Sequence, residues 1–408
     1  MRLRERGHHI VFLASEFYEP LMKQLGIELV ATSSREDQLQ ITASPNLTRP
    51  FGAVREVGRG FMLGPAKREY AAIRDLYEPG NTVLIGKGRN IGARIAMEKL
   101  GVPMATLVLS PDWLRSIYGS GPQVSRNLPK PARKWLQSVF HRRVNSMMMP
   151  ETNRLREELG LPALPGLFDD WIFSPQLMLG LFPEWFAPPR PDWPKVRLTG
   201  FPLIESPHAQ ELPGKVEDFL GAGEPPWIVS ALSGMQAAGE FFERSVAALR
   251  RIGARGILLS PFPSNVPANL PQGIRYFGYV PHRLLLPKAA GIIHQGGTGT
   301  IAGALLAGIP QLVVPVNLID GPPNGRRIAI MGVGAHLMRF RYRPRRVARE
   351  IEKLLSSSTV KERCYEYATK MKGQDGIGES CRVIEEVYCE TRTNASRSSE
   401  IGNRPPAG

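Results

Sequence analysis

Residues 289–327 read AAGIIHQGGTGTIAGALLAGIPQLVVPVNLIDGPPNGRR, and this stretch decides the fold. A short apolar strand spans 291–293, and His294 stands at its end. A glycine turn follows, with Gly296, Gly297 and Gly299. Thr300 opens a helix of small residues to about Ala307, which Gly308 and Pro310 stop. Residues 311–316 are β-branched, apolar and continuous, which predicts a second, fully buried strand. Asp320 and Asn324 lie on the connection into the next helix. A strand, a glycine turn and a helix make an anion-binding unit. Glycines let the backbone approach a phosphate, and the N–H groups and macrodipole of the helix start favour negative charge. His294 and the hydroxyls of Thr298 and Thr300 add side-chain donors. In an open α/β sheet such a loop lies where ligands bind, at the carboxyl ends of the strands.

The order His294-Gln-Gly-Gly-Thr-Gly-Thr300, then Gly308-Ile-Pro310, Pro315, Asp320 and Asn324, resembles the nucleotide-sugar signature of the UDP-glycosyltransferase superfamily. Gly278-Tyr-Val-Pro-His282 is similar to the segment that holds the nucleobase in that family. Within the superfamily the chain resembles most the rhamnosyltransferase catalytic subunits of rhamnolipid synthesis. The residues that carry this are Phe173-Ser-Pro-Gln176, Leu181-Phe-Pro-Glu-Trp-Phe-Ala-Pro-Pro189, Asp192-Trp-Pro194, Thr199-Gly-Phe-Pro-Leu203 and Gly92-Ala-Arg-Ile-Ala96. The resemblance implies an α/β protein of the GT-B fold, with two Rossmann-like doubly wound domains facing across a cleft.

Composition agrees with that size and class. The chain has 408 residues, 42% of them hydrophobic, enough for two domains. Lys and Arg number 52 against 37 Asp and Glu, a net charge of +15. Such a balance favours acidic partners, but no dense basic run or nucleic-acid motif is present, so nucleic acid is not expected. Peripheral contact with an anionic membrane suits the charge and a lipid acceptor. Cys364, Cys381 and Cys389 have neither disulfide-framework nor zinc spacing. No apolar run approaches the roughly 18 residues of a membrane span, and no signal peptide opens the chain. A cytoplasmic protein is expected, attached at most to the inner membrane face.

Taken in order, 1–9 reads as the end of a basic helix stopped by Gly7, and 9–14 as a strand. A Rossmann-like domain opens on a strand and a glycine loop, and the resemblance implies both before this helix; the expectation is that the sequence starts inside the first helix, through either a misassigned start or a genuine truncation. Residues 32–60 and 161–203 read as irregular, and 112–160 as helical with basic and aromatic residues interleaved. Residues 206–214 form a polar linker. The expected division is an acceptor-side domain over 1–205, a donor domain over 206–390 and a disordered tail over 391–408. Strands and helices alternate through the second half, which predicts a parallel sheet. The last helix, 379–390, is expected to cross back to the first domain.

For chemistry the resemblance implies that His294, Gly296, Gly297, Thr298, Gly299, Thr300 and Ser233 hold the donor diphosphate. Leu232 stands where the family carries glycine. Tyr279 would stack on the base, with Val280 and His282 beside it. Asp320 and Asn324 would hold the donor sugar, although Gly321 replaces the usual Gln. No metal or other cofactor is expected, because donors aimed at the leaving phosphate can take up its charge. No general base is assignable; His8 and His9 read as structural. The expected activity is metal-independent, inverting transfer of a hexose or deoxyhexose from a UDP- or dTDP-sugar to a lipid or other hydrophobic hydroxyl compound. The alternatives are a catalytically degenerate nucleotide-sugar-binding protein and a sugar-nucleotide epimerase of the same fold.

Overall fold

The computed structural model describes residues 1–48, 50–114, 116, 118, 128–167, 171–203, 211–231, 238–315 and 320–402. It divides into two compact units: 1–119 with 127–200 and 376–408, and 120–126 with 201–375. The linker expected over 206–214 falls largely outside the described residues.

Unit 1 holds two parallel sheets. In the first, β1 (Val11–Ser15) pairs with β2 (Glu28–Ser33). The second runs β3 (Leu84–Lys87), β4 (Met104–Val108), β5 (Leu177–Gly180) and β6 (Arg197–Leu198), in that order. β5 corrects the reading of 161–203 as irregular. Its four residues, LMLG, are all buried between β4 and β6. A run that short, between Pro175 and Pro183, carries no periodicity to announce a strand. Helices Arg35–Ala43 and Pro50–Val57 likewise replace the irregular stretch expected over 32–60. The first is started by a capping box: the Asp37 N–H donates to the Ser34 hydroxyl, and the Ser34 N–H donates to the Asp37 carboxylate. The C-terminal helix Gly376–Gly402 belongs to unit 1, where Val383 and Ile384 pack against Ala105, Leu177 and Leu179. It extends past Thr391.

Unit 2 has one six-stranded parallel sheet. Its strands are β7 (Trp227–Ser230), β8 (Gly256–Leu259), β9 (Ile274–Phe277), β10 (Gly291–His294), β11 (Gln311–Val313) and β12 (Gly334–His336). The spatial order is β9-β8-β7-β10-β11-β12. That is the doubly wound order 3-2-1-4-5-6, whose direction reverses between β7 and β10. Both faces are covered. Trp227, Val229, Leu258, Ile293 and Leu312 enter one apolar core, and Ile228, Ile257 and Ile292 the other. Two-sided burial is why these strands read as continuous apolar runs. Among the described residues no helix is long and apolar enough to cross a membrane.

Unit 1 also buries charge. Arg156, on the helix Lys130–Glu158, is fully buried and donates two hydrogen bonds to Glu98, at 2.7 and 2.8 Å. The Trp171 indole adds a third at 3.0 Å. Removing one partner of a buried pair leaves an uncompensated charge, which costs about 3–5 kcal/mol. Glu98→Ala is expected to lose that much in denaturant unfolding, and Glu98→Met with Arg156→Met considerably less.

Glu69 is buried beneath the start of the helix Ile91–Leu100, where it accepts from Asn90 Nδ2 at 2.6 Å and the Ala93 N–H at 3.3 Å. Burial raises its pKa from 4.5 to about 7 against those bonds. The folded state therefore holds a proton that the unfolded state releases, and stability present below pH 4.5 is lost as pH rises through 7. The loss is on the order of 3 kcal/mol. Thermal unfolding from pH 5 to 8 should slope downward in the native protein and be flatter in Glu69→Gln.

Candidate functional site

The carboxyl ends of β9, β10 and β11 bring the sequence-predicted segments to one edge of the unit 2 sheet. Gly278 to His282 follow β9, the glycine turn follows β10, and Asp320 precedes the helix Gly321–Met331 after β11. Ser233, like Leu232, lies outside the described residues.

The turn begins at His294. Its side chain is 1% exposed, and both ring nitrogens are engaged. The Gly296 N–H donates to Nδ1 at 3.1 Å, so Nδ1 carries no proton. Nε2 therefore does, and it donates to Gln311 Oε1 at 3.1 Å. Burial drives the His294 pKa down to about 3, opposed by the Gln311 bond and assisted by His282. The imidazole is neutral and turned into the protein, so in this structure its donor serves Gln311. Gly296 has φ +90, and a side chain there would meet the Gly321 Cα at 2.9 Å. Only glycine suits that backbone and that contact.

The helix Thr298–Ala307 starts two residues earlier than expected, with Gly297 as its N-cap. Among the described residues no side chain caps it. Gly299 is exposed, with open space where a Cβ would stand, and Thr298 and Thr300 are half-buried. The first-turn N–H groups, unserved by any cap and joined by two hydroxyls, form a ready site for an anion.

After β9, Tyr279 is 72% exposed, whereas Val280 is buried in the apolar core. His282 begins the short helix His282–Leu285, and burial lowers its pKa. After β11, Asp320 is half-buried at the N-cap of the helix Gly321–Met331. Asn324 is fully buried. Its Nδ2 donates to the Gly296 carbonyl at 2.8 Å, and its Oδ1 accepts from Arg327 at 2.9 Å. The structure thus spends both ends of this amide inside the protein. Gly321 has its own reason to lack a side chain: a Cβ would meet the Gln295 carbonyl at 2.8 Å and the Pro315 Cβ at 2.9 Å.

The sequence does not announce two of these residues. Gln311 opens what reads as an apolar strand, and a lone amide at the start of a buried parallel strand is its signal. Arg327, 8% exposed, gave none, because an arginine on a helix reads as solvated.

Comparison with known proteins places this geometry. Residues 261–386 match the family model described as erythromycin biosynthesis protein CIII-like, C-terminal domain. The chain is 28% identical to an O-mycaminosyltylonolide 6-deoxyallosyltransferase of Streptomyces fradiae, over 96% of this chain and 94% of that protein. Among solved structures it is similar to the glycosyltransferase of kitacinnamycin, with a TM-score of 0.68 at 19% identity over 95% and 93% of the two chains. It is also similar to the glycosyltransferase VinC solved with dTDP, with a TM-score of 0.63 at 18% identity over 94% of each. Its two parallel α/β units and these likenesses identify the chain as a glycosyltransferase with the GT-B fold.

Proposed function

We propose that this protein transfers a deoxyhexose or hexose from a dTDP- or UDP-sugar to a hydroxyl of a hydrophobic small molecule. The observation that carries this reading is the uncapped start of the helix Thr298–Ala307, set behind a three-glycine turn at the strand ends. The donor diphosphate lies against the N–H groups and hydroxyls of Thr298 to Thr300. Charge develops on that diphosphate as the glycosidic bond breaks, and fixed dipoles aimed at it stabilise the transition state. Tyr279 offers an exposed ring to stack on the base. Asp320 accepts hydrogen bonds from sugar hydroxyls. Gly321 adds no polar side chain beside Asp320, which suits a deoxygenated sugar. The likeness to a 6-deoxyallosyltransferase and to a structure holding dTDP supports a dTDP-deoxysugar.

The acceptor hydroxyl attacks the anomeric carbon opposite the departing diphosphate, and one such displacement inverts the configuration. His294 sits within the donor turn, neutral and buried, and is not the base of this reaction. The Streptomyces relative is named for O-mycaminosyltylonolide, which supports a small-molecule acceptor. A lipid is the second acceptor class. In unit 1, a groove of about 570 Å³ lies along the helix Lys130–Glu158, lined among others by Lys134, Trp135, His141 and Arg142. Trp135 and Phe140 on that helix are 62% and 45% exposed. Basic and aromatic side chains together suit both an amphipathic acceptor and peripheral contact with an anionic membrane.

Thermal unfolding with dTDP, UDP and their sugar conjugates tests the reading. A ligand at a hundred times its Kd adds about 2.7 kcal/mol to stability. One nucleotide series should stabilise the native protein, and Thr300→Val and Tyr279→Ala should each weaken the effect. A folded protein that responds to neither series overturns the assignment. Product analysis by NMR should show an inverted anomeric centre, formed equally well with EDTA present.

A further inference from the structure

The peptide carbonyl and amide at Gly296 are held from opposite sides by buried side chains. The Gly296 N–H is held by His294 Nδ1, and the Gly296 carbonyl by Asn324 Nδ2. Neither clamp is self-sufficient. A neutral imidazole has two tautomers, and only the one with a bare Nδ1 can accept from Gly296. Gln311 Oε1, on the neighbouring strand, selects that tautomer by accepting the Nε2 proton. Asn324 must turn its amide nitrogen toward Gly296, and the Arg327 guanidinium fixes that orientation by donating to its oxygen. Two relays therefore converge on one residue, from the peptides on either side of its Cα: Gln311 to His294 to Gly296, and Arg327 to Asn324 to Gly296. Gly296 lies two residues before the first helical N–H at Thr298, so it aims the helix start.

We propose that Gln311 and Asn324 are positioning residues for the donor diphosphate. They act through Gly296 and have no contact of their own with the ligand. The proposal rests on the donor-site reading above. A bond that orients a binding group is felt by the part of the ligand that group touches. Loss of either relay should therefore weaken binding of the phosphates and leave the nucleoside unaffected. Without the Gln311 acceptor, the imidazole is free to protonate at Nδ1, which sets two donors face to face at Gly296. In Asn324→Asp, the side chain keeps its shape and its Arg327 partner but has no proton to give, so a carboxylate oxygen faces the carbonyl.

The test is calorimetric titration of the full chain with UDP, dTDP, uridine and thymidine, on the native protein and on Gln311→Leu, Gln311→Glu and Asn324→Asp. Glutamate keeps an acceptor oxygen at position 311 in either protonation state. The diphosphates should bind about tenfold more weakly to Gln311→Leu and Asn324→Asp, the scale of one lost hydrogen bond. Gln311→Glu should stay within about threefold of the native protein, and nucleoside affinity should be unchanged throughout. ¹⁵N spectra should show His294 protonated at Nε2 in the native protein and a tautomer mixture in Gln311→Leu. A native protein that binds neither diphosphate overturns the donor-site reading. A native protein that binds, with variants that bind diphosphates equally well or lose nucleoside and diphosphate together, overturns the positioning role alone.

Discussion

Two backbones in unit 2 approach more closely than any side chain would allow. The loop after β10 and the helix after β11 meet at Gly296 and Gly321, where a Cβ on either residue would collide with the other segment. That contact needs glycine on both sides. It brings Asp320 to the same strand edge as the start of the helix Thr298–Ala307, and it lets Asn324 reach the Gly296 carbonyl. This edge of the unit 2 sheet is thus assembled around a packing constraint. Gly321 looks like a lost contact when it is compared with a family that carries Gln there. In the structure it is the residue that permits the two segments to close.

The positive field at the glycine turn comes from the helix start rather than from His294. His294 is neutral by burial, and its neutrality is what allows the ring to accept from Gly296. A protonated ring would donate from both nitrogens, and the turn would lose its clamp. The favourable field for a phosphate is that of the helix start, with amides that have no intrahelical partner. Such a field needs no reorganisation when a ligand's charge shifts, which is the property a leaving diphosphate requires.

Unit 1 handles burial of charge in the opposite way. Arg156 is fully charged and fully buried, and it is tolerated because Glu98 and the Pro162 carbonyl satisfy its donors. Glu69 is buried without a cation, and its cost appears as a pKa pushed up to about 7. One carboxylate is thus stabilised in the charged form and the other in the neutral form, by surroundings within a single compact unit.

The sequence by itself determined the α/β class, the parallel sheet of unit 2 and the location of the glycine turn. These depend on local signals: apolar runs long enough to be strands, helices alternating with them, and glycines in a pattern that only close backbone approach explains. The strand read at 291–293 is found there, one residue longer, for that reason. Tertiary structure alone decided what depends on neighbours distant in the chain. β5 is a strand because β4 and β6 flank it, not because LMLG has a period. Likewise His294, Gln311, Asn324 and Arg327 form a brace because β10, β11 and the helix Gly321–Met331 lie side by side. A sequence motif records which donors are present. Burial and the partners at each ring nitrogen and amide decide whether those donors face a ligand or hold the loop that does.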